Sequence, residues 1–107
     1  MMKNNKSRIL LSLIIGVSRA LLQQSISLNE AEQIIFSPAI VELSKRNSID
    51  KRIVDLLHRG TELEDIESLR PGNYLESIKE IEKDAHNLLK ILPEYDYNAE
   101  KLIAKLF

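Results

Sequence analysis

Start and stop signals for helices recur so closely along this chain that mainly short helices fit between them. Ser27-Leu28-Asn29-Glu30 has the spacing of a capping box, in which the Ser hydroxyl and the Glu carboxylate each satisfy an orphan backbone N–H. Ser37-Pro38 places a capping hydroxyl before a residue suited to the first helical position. Ser48 is expected to cap the next helix, and Gly60 to end it as a left-handed residue after His58 and Arg59. Thr61 with Glu64 repeats the capping-box spacing, Arg70-Pro71-Gly72-Asn73 reads as a type II turn, and Pro93 stops whatever precedes it.

Between these marks the apolar residues step by three and four, and no stretch alternates long enough to predict a strand. The first helix is expected over 7–24, with Ile9/Leu10, Leu13/Ile14, Val17 and Leu21 as its stripe. A short second helix carries Ala31, Ile34 and Ile35, and a third ends near Arg46-Asn47. The fourth turns Ile49, Ile53, Leu56 and Leu57 inward. A fifth covers the acidic run after Thr61, with Leu63, Ile66 and Leu69 as its apolar side. A long helix over 74–92 buries Leu75, Ile78, Ile81, Ala85, Leu88 and Leu92, and a last one over 98–107 uses Leu102, Ile103 and Leu106. The expectation is an all-α single domain spanning 1–107, a compact, roughly orthogonal bundle of six to seven helices. The middle helices are too short to hold without packing.

Composition narrows the chemistry. Without cysteine there are no disulfides, thiol catalysis or thiolate metal sites, which leans towards a reducing, cytoplasmic setting. With no Trp and only two Phe, Leu and Ile must fill the core. Lys3, Lys6 and Arg8 before Ile9–Val17 resemble the start of a signal peptide. The apolar run continues into Arg19, however, and is shorter than the about 20 residues that span a bilayer, so a buried helix is expected.

Catalysis finds few groups. His58 reads as a cation at a helix C-terminus and His86 as the partner of Glu82 one turn earlier. Lys83 stands where a helical di-iron site needs glutamate, and the three glycines are isolated, so no phosphate loop exists. Neither an enzyme, nor a cofactor, nor a metal is expected; the acidic run lacks the spacing of a calcium loop.

Charge is more telling. Up to Arg59 there are nine Lys/Arg against five Asp/Glu; from Gly60 onward there are six against eleven. Two surfaces therefore compete as interfaces. Lys45, Arg46, Lys51 and Arg52 suggest a helix-turn-helix-like nucleic-acid binder, diluted by Glu42, Asp50 and Asp55. Glu62, Glu64, Asp65 and Glu67 repel one another without an obvious basic partner in the same helix, and Glu76, Glu80 and Asp84 could extend their surface. Such a face speeds and orients docking on a basic protein. A third possibility is self-association through the first helix or the Phe107 end.

Asn29-Glu30-Ala31-Glu32, Phe36-Ser37-Pro38, Ile53-Val54-Asp55-Leu56-Leu57-His58 and above all Gly60-Thr61-Glu62-Leu63-Glu64-Asp65 carry a resemblance over most of the chain. The chain resembles a small family of bacterial helical proteins similar to the immunity proteins of toxin systems, including contact-dependent growth inhibition. The resemblance implies a small, cytoplasmic, non-catalytic protein that neutralises a toxin, often a nuclease, by covering its active site or substrate cleft. One departure is the near-neutral net charge of −1, since immunity proteins for nucleases are often strongly acidic.

Overall fold

A computed structural model describes residues 3–94 and Ala104. Among the described residues the regular structure is entirely helical: α1 (Lys3–Leu22), α2 (Leu28–Ile34), α3 (Pro38–Arg46), α4 (Lys51–Thr61), α5 (Leu63–Leu69) and α6 (Tyr74–Ile91), with a 3-10 turn at Pro71–Asn73. The expected six to seven helices overcount the elements that build the bundle. Four are substantial, while α2 and α5 are seven-residue pieces. The helix expected over 98–107 lies, Ala104 apart, outside the described residues.

The long helices α1 and α6 pack along each other, α4 packs against both, α5 against α6, and α3 against α4. One contiguous apolar cluster joins all six, from Leu11 and Ile14 through Phe36, Ile53, Leu57 and Leu63 to Ile78 and Ile81. The inward face of α1 is the expected one at Ile14, Val17 and Leu21, which are buried, but it is shifted at its start. Leu11 is fully buried and Leu13 is 39% exposed. The segment 9–15 is apolar nearly all round, so its periodicity selects no unique face and packing on α6 decides. The buried stripe runs through Leu11, Ile14, Val17, Ser18 and Leu21, with Ser7 and Asn5 also buried. Ile34 and Leu75, also expected inside, are 46% and 51% exposed.

The third helix ends at Arg46, as expected, and both α1 and α3 end without a glycine. After α1, Gln24 adopts φ 58°, its N–H bonding to Leu21 O and the Ser25 N–H to Ala20 O. After α3, Ser48 adopts φ 54°, with its N–H on Lys45 O and the Ile49 N–H on Ser44 O. Both are Schellman motifs with an L-residue in the left-handed position. Ser48 therefore ends α3 and does not cap α4. Asp50 does, accepting the Arg52 N–H at 2.9 Å. The caps at Ser27 and Ser37 are where the sequence puts them, accepting from the Glu30 and Ile40 N–H groups.

Gly60 departs most informatively. It is buried and has no positive φ, and α4 continues through it to Thr61. The ring of Phe36 lies against its Cα, where a methyl group would come within 2.6 Å of Cε1. Gly60 admits a ring; it does not stop a helix. Because α4 runs on, Thr61 cannot open α5, and its hydroxyl donates to His58 O at 2.6 Å. Glu62 takes the cap position without a side-chain bond. The expected type II turn is also absent: Gly72 has no positive φ, and Asn73 N–H to Arg70 O closes a 3-10 turn leading into α6.

Candidate functional site

α5 packs on α6 and the end of α4, with Glu32 of α2 near its Glu64 and Glu67, and this placement sorts the acidic residues onto different surfaces. The chain first neutralises part of its own charge asymmetry. Arg19 of α1 donates to both carboxylate oxygens of Glu82 of α6, Nε to Oε2 at 3.0 Å and Nη2 to Oε1 at 2.5 Å. Arg59 at the end of α4 holds Asp84 at 2.8 Å. Two carboxylates of the acidic half are thus consumed by arginines of the basic half. Glu82 is buried and committed to Arg19, so the expected Glu82–His86 pair does not form; His86 is exposed. Asp84, expected on the acidic face, is already partnered.

The remaining carboxylates divide. Glu62 and Asp65 of α5 join Glu80 of α6 around a groove of roughly 320 Å³ that also holds Arg59 and Arg70, so its charge is mixed. Glu76 is exposed on α6. Glu64 and Glu67 meet α2 instead, where they converge on Glu32. Partial burial, hydrogen bonding to Glu64 and the charges of Glu64 and Glu67 hold the Glu32 carboxyl above the ordinary Glu range. Burial, followed by the charges of Glu67 and Glu32, likewise raises the Tyr74 phenol. Among the described residues no Lys or Arg forms an ion pair with Glu32, Glu64 or Glu67.

Glu32 is the residue the sequence reading missed. It is remote in sequence from the acidic run and belongs to the basic half by position. Only the tertiary fold brings α2 near α5 and Glu32 into the cluster, and no spacing signals that.

Beside this cluster lies a groove of roughly 440 Å³ between the α1–α2 corner and the start of α6, lined by Leu21, Ile26, Leu28, Glu67, Tyr74 and Leu75 among others. Leu75 is 51% exposed at its edge, and Leu69, just before the turn into α6, is 78% exposed. The expected apolar side of α5 is accordingly split: Leu63 is fully buried, Ile66 half-buried and Leu69 outside.

The basic cluster is weaker than its sequence suggests. Arg52 is held by Asp50 at 2.7 Å and Lys45 lies 3.6 Å from Glu42, leaving Arg46 and Lys51 exposed. A larger groove of about 600 Å³ separates α3 from α4, floored by Val41, Ile49 and Val54. Its rim carries both signs, with Glu42 and Asp55 facing Lys45 and Lys51. His58 stands at that rim, exposed, its Nδ1 3.4 Å from the Thr61 hydroxyl. No group of three or more His, Asp and Glu among the described residues is arranged to hold a metal ion. No described helix is long and apolar enough to cross a membrane.

Comparison with curated proteins gave no match, and comparison with solved structures gave none. A protein-family profile described as a protein of unknown function (DUF3969) matches residues 1–104. That match spans nearly the whole chain, which therefore belongs to the DUF3969 family.

Proposed function

We propose that this chain is a non-catalytic, cytoplasmic binding protein, an immunity protein that neutralises a bacterial toxin by covering its active site or substrate cleft. The supporting observation is the selective way charge is left over. The fold pairs Glu82 and Asp84 with arginines, yet gathers Glu32, Glu64 and Glu67 where no described cation meets them. Like charges brought together lower stability, and such a cost at a surface is what a binding site for a basic partner retains. The basic substrate cleft of a nuclease has the matching sign, and charge complementarity raises association rates. Inhibition would be steric, with no turnover.

The nucleic-acid reading loses support because Asp50 and Glu42 pair with two of its four basic residues. Self-association through the first helix loses support because the α1 stripe is buried on α6.

The test is affinity capture from a native bacterial host at physiological salt, followed by mass spectrometry. A stoichiometric partner carrying a secreted toxin's C-terminal domain is expected. Retention of nucleic acid alone, or of no toxin domain from a host shown to express one, would refute the reading. With a partner in hand, Glu64→Lys/Glu67→Lys should slow association more than Glu62→Lys/Asp65→Lys, whose residues already share a groove with arginines.

A further inference from the structure

The groove between the α1–α2 corner and the start of α6 combines an apolar floor with one-sided charge. Its walls are Leu21, Ile26, Leu28, Tyr74 and Leu75, and the carboxylate among its lining residues is Glu67. Glu32 stands near enough for its charge to raise the Tyr74 phenol, and Glu64 and Glu67 raise the Glu32 carboxyl in turn. No Lys or Arg lines the groove, in contrast to the mixed rims of the α3–α4 and α5–α6 grooves. Leu75 remains 51% exposed at its edge.

We infer that this groove is the docking site for a basic segment of a partner protein, receiving an arginine whose methylene stem lies on Leu28, Tyr74 and Leu75 and whose guanidinium meets Glu67. Arginine suits the two-part surface. Its stem covers apolar area while its head stays at a polar edge, and its planar head both stacks on an aromatic ring and pairs with a carboxylate. Tyrosine and arginine are also the residues that concentrate binding energy at interfaces, and Tyr74 is half-buried here. The rim charge excludes an acidic partner by repulsion and leaves a purely apolar one with Glu67 to desolvate. The inference rests on the proposed function for the identity of the partner, but not for the chemistry of the groove.

The test uses the full, isotope-labelled chain and a short probe, acetyl-Leu-Arg-Leu-amide, with the same peptide carrying citrulline in place of arginine as the uncharged control. Saturable amide shifts are expected at Leu28, Glu67, Tyr74 and Leu75. The citrulline peptide should bind about five-fold more weakly, the order of one exposed charge pair. Glu67→Gln should lose the preference for arginine, Leu75→Ala should weaken both peptides alike, and Asp55→Asn, on the separate α3–α4 groove, should change neither. Equal binding of the two peptides, shifts centred on the α3–α4 groove, or no saturation at millimolar peptide would overturn the inference. Capture separates the two claims. A toxin domain retained equally by the wild type and by Glu67→Gln/Leu75→Ala overturns the groove and leaves immunity standing. Arginine-selective peptide binding with no toxin domain captured from a host shown to express one supports the groove and refutes immunity.

Discussion

Replacing Gly60 by alanine tests whether the chain's glycines are turn formers or packing residues. A helical glycine is normally a weakness: exchanging it for alanine in a helix interior gains about 0.8–1.0 kcal/mol. Gly16, exposed in α1 with nothing within 4 Å of an added methyl, should behave that way. Gly60 should not. Its added methyl would overlap the Phe36 ring, and that ring is 1% exposed, with core on every side and no path to retreat. Overpacking of a filled core costs about 1–3 kcal/mol, and an overlap this deep belongs at the upper end. Subtracting the backbone gain leaves a net loss of about 1–2 kcal/mol. At about 4–8 °C per kcal/mol for a domain of this size, the melting temperature should fall by roughly 4–16 °C. Calorimetry and urea titration of both variants read the result. Gly16→Ala should move the other way. Phe36→Leu opens the space the methyl needs, so adding it to Gly60→Ala should cost less than adding it to the wild type, a coupling that a double-mutant cycle isolates. A Gly60→Ala protein as stable as the wild type would refute the packing account and restore Gly60 as an ordinary helix residue.

Three further outcomes follow from other contacts. Arg19→Met should destabilise by about 1–2 kcal/mol in urea titration, more than Glu82→Gln, because it leaves a buried carboxylate alone whereas Arg19 is half exposed and can hydrate. Glu32→Gln should stabilise the fold at neutral pH. The Glu32 carboxyl is raised in the folded chain, so the native state holds its proton better than the unfolded one. Wild-type stability therefore gains as pH falls towards the ordinary carboxylate value near 4.5 and loses that contribution as pH rises above the folded value, so the advantage of the glutamine should shrink on acidification. Ser48→Gly should stabilise by about 0.5–1 kcal/mol by removing the left-handed strain of an L-residue at the α3 end, while Ser48→Ala should not.

How much of the site was legible from sequence follows from particular residues. The run from Glu62 to Glu67 announces an acidic helix because its carboxylates lie within two turns. Its division between two surfaces depends on where α2 and α6 pack. Glu64 and Glu67 therefore acquire Glu32, whereas Glu62 and Asp65 acquire Arg59 and Arg70. Asp84 looked equivalent to Glu80 until Arg59 reached it.

The sequence by itself determined the helical class, the Ser27 and Ser37 starts and the apolar sides of α4 and of most of α6. Capping and periodicity are local, set by residues three and four apart. The tertiary structure decided whatever depends on a neighbour distant in sequence. It chose the buried face of a segment apolar all round, made Gly60 a seat for Phe36, and carried α4 past its expected end. It also spent two of the carboxylates on arginines. A buried methyl group and an unpaired charge are each judged by what stands within a few ångströms, and only folding brings those neighbours together.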